Sequence, residues 1–377
     1  MTLLEKKKIV FLTGTRADFG KLKSLIRILE THAHFEPHIF VTGMHLMEDY
    51  GFTLIEIQRA GFVNIHTFSN HTSETTMDLT LAKTMKGFSE FIKKTDPHLV
   101  VVHGDRVEAL AGALVGALNN VLVAHVEGGE VSGTIDELLR HATSKMSHIH
   151  FVSNKQAKKR LLQMGELPES VFVIGSPDVD VMFSDTLPSL NEVKTHYDIA
   201  FSDYSVVMFH PVTTEATKMG KYASNLAKAL LDSDKNYVVI YPNNDLGSKA
   251  ILNAVKLLHA NPKIRIFPSI RFEYFLTLLK NAECIIGNSS AGIREAPYYG
   301  IPTINIGSRQ KNRALHSHIV NVGYSYESIL HAIKAEHQKV KEDRSGFGKG
   351  HSDVLFLKSL EKGNVWNVNH QKQFRDL

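Results

Sequence analysis

Residues 99–126 read LVVVHGDRVEALAGALVGALNNVLVAHV. The run Leu99–His103 is apolar until its last residue, with no alternation, as in a strand covered on both faces. Val107–Leu118 has the length and small-residue content of a helix, and Val121–Val126 is a second apolar run. A strand, a helix and a second strand in this order predict a parallel crossover unit. Each strand ends in polar residues: His103-Gly104-Asp105-Arg106 after the first, Glu127-Gly128-Gly129-Glu130 after the second.

The same rhythm extends in both directions. Strands are expected at Ile9–Thr13, His38–Thr42, Ile149–Ser153 and Val171–Gly175, with helices at Lys21–Leu29, Thr76–Lys94, Ile135–Met146 and Lys155–Met164. After a linker-like stretch, Ser176 to about Ser202, strands resume at Val206–His210, Tyr237–Tyr241, Ile264–Phe267, Cys284–Ile286 and Thr303–Ile306. Helices are expected near 221–232, 248–259, 272–280 and 291–299. Two such blocks predict an α/β chain with two Rossmann-like, doubly wound domains, 1–175 and 176–362, and a central cleft. A C-terminal helix within 363–377, around Trp366–Phe374, is expected to pack back on the first domain.

Composition narrows the function. The chain has 377 residues, 43% hydrophobic and 22% charged, with a net charge of +4. That is globular composition, too mildly basic to imply nucleic acid. The single cysteine, Cys284, excludes an internal disulfide and a cysteine-based zinc or iron–sulfur site. No stretch has a secretory signal's pattern or a membrane span's length, so a cytoplasmic location with no membrane partner is expected. There is no GxGxxG after the first strand and no GxxxxGK[ST], which removes the main support for a dinucleotide or Walker-type site; no cofactor is expected. The 21 histidines include His141, His148 and His150, but their spacing is not that of a metal site, and no metal is expected.

In open parallel sheets ligands bind beyond the carboxyl ends of the strands. In GNSSAG, residues 287–292, small residues, two hydroxyls and a helix start favour an anion, and Arg294, Arg309 and Arg313 lie near in sequence. Several carboxylates have structural explanations. Asp105 is placed to cap a helix, Glu137 to close a capping box with Thr134, and Asp136 to pair with Arg140 four residues on. Glu127 has none: it ends a buried strand before two glycines. Residues 125–137 contain no lysine or arginine, so Glu127 is expected to be free of a salt bridge. Asp105, Glu127 and Asp136 on one rim suit acid–base work. His210, ending a strand in FHPVTTEA, is a candidate phosphate or sugar contact.

These residues carry a family resemblance. GTRADFGKLK, VTGMH, HGDRVEALAGA, HVEGGEVSGTIDELLRHATSKMSHIH, GSPDVD, FHPVTTEA, YPNND and GNSSAGIREAPYYGIPTINIGSRQKNR, in order over about residues 9–313, resemble the hydrolysing UDP-N-acetylglucosamine 2-epimerases, which supply N-acetylmannosamine for sialic acid synthesis. Where the non-hydrolysing branch has Pro-Glu, Gln and Asp-Ser-Gly-Gly, this chain has Ala17-Asp18, Met44 and Ser289-Ser290-Ala291-Gly292, as in the hydrolysing branch. The resemblance implies a glycosyltransferase B type fold, catalytic Asp105, Glu127 and Asp136, and UDP contacts from Arg16, Arg106, His210, Asn243, Ser289, Ser290, Glu295 and Arg309. It adds Lys21 and His45 as rim residues, UDP-N-acetylglucosamine and UDP as partners, and a homodimer. Competing expectations are a hydrolysing 2-epimerase of a nucleotide-linked 2,4-diacetamido-trideoxyhexose on the way to legionaminic acid, a glycosyltransferase on the same fold, and a nucleotide-sugar sensor without turnover.

Overall fold

The structure, a computed structural model, describes residues 6–71, 76–311, 313, 318–343 and 346–376. Strands β1 (Lys7–Thr13), β2 (Phe35–Val41), β3 (Ile65–Thr67), β4 (Leu99–His103), β5 (Leu122–Val126), β6 (Ile149–Val152) and β7 (Val171–Val173) form one sheet in the order β3-β2-β1-β4-β5-β6-β7. Strands β8 (Ser205–Met208), β9 (Tyr237–Ile240), β10 (Ile264–Phe267), β11 (Ile285–Gly287), β12 (Thr303–Ile306) and β13 (Ile319–Val322) form a second, in the order β10-β9-β8-β11-β12-β13. Every pairing is parallel. Counted from its own first strand, each sheet follows the Rossmann order 3-2-1-4-5-6, and the first adds a seventh edge strand. The order reverses between β1 and β4 and between β8 and β11, the kind of switch point at which open parallel sheets in general offer a crevice for a ligand.

The 99–126 stretch folds as its composition dictates. Leu99–Val102 are fully buried. The helix Val107–Leu118 lies close over them because a side chain at Gly112 would meet Val102 at 2.7 Å and one at Gly116 would meet Val123 at 2.5 Å. The first core gathers Phe11, Leu22, Phe151 and Phe356; the second gathers Leu226, Tyr237 and Ile304.

The chain divides into two compact units. One is Met1–Glu130, Asp136–Phe183 and Gly346–Leu377; the other is Val131–Ile135 and Ser184–Ser345. The stretch read as a linker contains two helices, Pro177–Met182 with proline in its first turn, and Leu190–His196 capped by Ser189, whose hydroxyl accepts from the Glu192 amide. The last helix is Ser352–Glu361, earlier than the expected 363–377. Asp180 accepts from the Ser352 and Asp353 amides at its start, and Gly363, at φ +78°, follows its end. Among the described residues only a 3-10 turn, Asn364–Asn367, follows it. Phe356 and Leu360 seat this helix in the first core.

Gly287 closes β11 at φ +129°, and a Cβ there would lie 2.0 Å from the Met208 carbonyl oxygen of β8. Gly287→Ala is therefore expected to cost about 1–3 kcal/mol of the second unit's stability. Chemical denaturation followed by a probe in that unit checks it; an unchanged midpoint would contradict the close approach.

Candidate active site

Beyond β1, Thr15 caps the helix Arg16–Glu30 through a capping box. Its hydroxyl accepts from the Asp18 amide at 3.2 Å, and Asp18 Oδ2 accepts from the Thr15 and Gly14 amides at 3.1 and 3.2 Å. Two backbone donors at the helix start are thus satisfied by a carboxylate. The other oxygen, Oδ1, lies 3.8 Å from His103 Nδ1 at the end of β4. Burial alone would raise the Asp18 carboxyl; His103 and Arg106 outweigh it and hold the group below its ordinary value.

Glu127 follows β5 in the left-handed region, φ +64°, and is 2% exposed. That backbone costs a non-glycine residue about 1–3 kcal/mol and persists only where its surroundings over-determine it. They do. The Glu127 amide donates to the Phe151 carbonyl at 2.9 Å, and Arg140 Nη1 donates to the Glu127 carbonyl at 2.6 Å. A charge-assisted bond contributes about 1.5–3 kcal/mol, enough to offset the strain.

The Glu127 carboxylate accepts from the Ser176 hydroxyl and lies 3.1 Å from His103 Nε2 and 3.7 Å from Lys21 Nζ. Lys21 is also 3.2 Å from Asp178. Glu127 is therefore ion-paired, contrary to the expectation from its neighbours in sequence: the cations come from the helix Arg16–Glu30 and from β4. His103 sits between two carboxylates with neither ring nitrogen aligned for a hydrogen bond. Burial pushes its pKa down, but Glu127 and Asp18 push harder, and it rises to about 9. At neutral pH it is an imidazolium.

Arg140, 3% exposed, also forms an ion pair with Asp105 Oδ2, so one guanidinium joins Asp105 to the Glu127 backbone. Asp105 is not the expected cap: the helix Val107–Leu118 starts from Arg106, with no side-chain cap. Asp136 stands in the first turn of the helix Ile135–Met146, four residues before Arg140 and on the same face. One further turn on, Ser144 bonds His125 Nδ1 at 2.9 Å, and His125 Nε2 bonds the Gly104 carbonyl at 2.8 Å. One helix thus holds both strand ends that carry the carboxylates.

The remaining candidates of this unit divide. Arg16 pairs with Glu56, and Arg106 Nε donates to Glu108 at 3.1 Å. Lys21, expected on the rim, is 8% exposed and beneath Glu127. His45, expected there too, is fully buried; its ring nitrogens bond Thr13 and Thr53 at 3.0 and 2.6 Å, and burial lowers its pKa to about 4. It is a neutral packing histidine. The sequence reading missed His103, Ser176 and Asp178. The polar residue closing a wholly apolar strand was the available signal for His103.

In the second unit Asn288 ties β8 to β11. Its Oδ1 accepts from the His210 amide at 2.6 Å and its Nδ2 donates to the His210 carbonyl at 2.9 Å. His210 Nδ1 accepts from the Asn243 amide at 3.1 Å, which orients the ring. The Asn288 carbonyl accepts from Gln310 at 2.8 Å and Arg309 at 3.2 Å. Ser289 bonds the Ala291 amide at 3.3 Å, while Ser290 makes no cap bond to the helix Ala291–Arg294. Glu295 follows that helix and is 4% exposed. His210, Asn243, Ser289, Ser290 and Arg309 thus gather around the reversal between β8 and β11. Val131–Ile135 packs on the same loop: the Gly133 amide donates to the Arg309 carbonyl at 3.2 Å, and Arg313 Nε donates to the Val131 carbonyl at 2.7 Å. Among the described residues no three histidines, cysteines or carboxylates are grouped to hold a metal ion, and no helix is long and apolar enough to cross a membrane.

The His103 cluster predicts a pH signature. Its folded pKa, about 9, lies above the ordinary 6.5, so its pairing contributes stability fully below pH 6.5 and loses it as pH rises through 9. The difference in unfolding temperature between the native chain and His103→Gln should shrink over that window. A difference that stays constant, or grows, would contradict an imidazolium there.

The UDP-N-acetylglucosamine 2-epimerase family model matches residues 27–361. The UDP-N-acetylglucosamine 2-epimerase of Neisseria meningitidis serogroup B is 48% identical over 375 residues, 98% of this chain and 99% of its own. The UDP-N,N'-diacetylbacillosamine 2-epimerase (hydrolyzing) of Legionella pneumophila is 32% identical over 89% of this chain and 90% of its own. The crystal structure of Methanocaldococcus jannaschii UDP-GlcNAc 2-epimerase in complex with UDP-GlcNAc and UDP superposes with a TM-score of 0.80 at 25% identity, covering 94% of this chain and all of that one. Two Rossmann-ordered sheets, a carboxylate rim at the reversal of one and a polar loop cluster at the reversal of the other therefore accompany full-length similarity, and the chain belongs to the UDP-N-acetylglucosamine 2-epimerase family.

Proposed function

We propose that this chain is a hydrolysing UDP-N-acetylglucosamine 2-epimerase, converting UDP-N-acetylglucosamine and water to N-acetylmannosamine and UDP, the opening step of sialic acid synthesis. The observation that carries the reading is the Asp105–Arg140–Glu127 assembly, with an imidazolium beside it, at the order reversal of the first sheet. C2 of the sugar bears the acetamido nitrogen and adjoins no ring carbonyl, so its hydrogen is barely acidic. Direct deprotonation is too slow. Breaking the C1–O bond to UDP as a base removes the C2 proton gives 2-acetamidoglucal. Water then adds at C1 and a proton returns to C2 from the other face, giving the manno configuration. Two faces need two proton-handling groups, which is what Asp105, Glu127 and Asp136 supply between them. The second unit's His210, Asn243, Ser289, Ser290, Glu295 and Arg309 hold UDP.

Support for the hydrolysing assignment comes from the motif resemblance, Ala17-Asp18 standing where the non-hydrolysing branch has Pro-Glu; in the structure Asp18 serves the capping box and faces His103. Similarity to the Legionella enzyme favours one second reading, hydrolysis of a diacetamido sugar nucleotide. Supplying each nucleotide sugar in turn and identifying products by NMR decides between them. Free N-acetylmannosamine with UDP is expected; UDP-N-acetylmannosamine would overturn the hydrolysing assignment, and turnover of the diacetamido sugar alone would favour the second reading. Asp105→Asn should cost about 100-fold or more in turnover. In calorimetry with UDP alone, Ser290→Ala should weaken binding by about 1–2 kcal/mol and Arg309→Ala by more, because the latter contact is charge-assisted. Unchanged affinity in both would move the nucleotide elsewhere.

A further inference from the structure

The helix Ile135–Met146 carries the side chains that hold the rim, and its far end is fastened by a segment the proposed reaction does not use. Lys372 Nζ donates to the carbonyls of Ser144, Lys145 and Ser147 at 3.3, 3.1 and 2.7 Å. The last carbonyls of a helix have no partner within it, and a cation there also meets the negative end of its dipole. Lys372 is kept in place by Glu166, 2.6 Å away and 1% exposed. Glu166 also receives Lys145 at 3.0 Å and His150 at 2.9 Å, and its backbone carbonyl accepts from Arg375 at 3.1 Å. Burial holds His150 below its ordinary pKa, so it meets Glu166 as a neutral donor and the countercharges are the two lysines. Upstream, the His370 carbonyl accepts from His148 Nε2 at 2.9 Å, and His370 Nδ1 bonds the Asn120 carbonyl at 2.7 Å.

From that clamp the connections run to the rim. Ser144, whose carbonyl Lys372 takes, uses its hydroxyl to hold His125, which holds the Gly104 carbonyl next to Asp105. One turn earlier Arg140 grips Asp105 and the Glu127 carbonyl. A helix free to fray or shift at its end would move both grips together. We infer that Lys372, with the 368–376 segment around it, is a positioning device for the carboxylate rim: by clamping the end of the helix Ile135–Met146 it sets the placement of Arg140 and Ser144, and through them of Asp105 and Glu127. The inference rests on that rim being the reaction site.

The test is steady-state kinetics on the full chain with Lys372→Met, which keeps the apolar stem and loses the charge, and Lys372→Arg, which keeps the charge and donors. Lys372→Met should lose about tenfold or more in kcat, as displacement of a catalytic group does. KM and the affinity for UDP alone should stay within about twofold, since the displacement acts on the chemical step rather than on uniform binding. Amide hydrogen exchange should quicken in the helix Ile135–Met146, and Lys372→Arg should recover most of the rate. Full kcat in Lys372→Met would overturn the inference. So would a fall in kcat accompanied by an equal loss of UDP affinity, or by general unfolding in both variants. Asp105→Asn, run alongside, separates the two claims: if it keeps full turnover, the rim is not the reaction site.

Discussion

The left-handed backbone of Glu127 is the constraint on which the rim depends. A non-glycine residue in that conformation, at the end of a buried strand, aims its side chain where an extended continuation of β5 would not. The fold holds it there with one bond from the sheet, to Phe151, and one from a helix, through Arg140. Having been aimed inward, the carboxylate must be compensated, because a lone buried charge costs several kcal/mol. Lys21, His103 and Ser176 do this from three separate elements. Those elements are themselves fixed by capping and packing: the Thr15–Asp18 box starts the helix carrying Lys21, and buried β4 delivers His103.

The second unit solves a related problem with a neutral group. Asn288, fully buried, uses its side-chain amide to join the ends of β8 and β11, while its carbonyl anchors the Arg309–Gln310 loop. An amide satisfies both donors and acceptors without a net charge, so it leaves the local potential to the arginine and the backbone amides. That suits the diphosphate proposed for this loop, whereas the first unit's alternating charges suit the proton transfer proposed there.

Much of this was legible in the sequence. Continuous apolar runs separated by helical stretches have few readings other than parallel sheets, and the polar residues after those runs lay at the strand ends. What escaped has physical causes. β3 and β13 are edge strands of three and four residues, half exposed, so burial imprints no apolar run on them. The two helices inside 176–202 are six and seven residues long, too short for periodicity to register. The pairing of Glu127 with Lys21 spans 106 positions, and that of Arg140 with Asp105 spans 35; composition around either residue carries no trace of it. His45 shows the converse error, a polar residue in a motif whose polarity is consumed by two buried threonines. Local signals reported where the rim would be, and only the fold reported which charges face one another.

Proton transfer at C2 of the sugar is the claim that joins the geometry to the chemistry, and solvent isotope incorporation reads it directly. With UDP-N-acetylglucosamine turned over in heavy water, the hexosamine released should carry one deuterium at C2, because the abstracted proton exchanges with solvent before another is delivered from the opposite face. A product that retains its original C2 hydrogen would contradict the elimination route and the proton-handling role assigned to Asp105, Glu127 and Asp136.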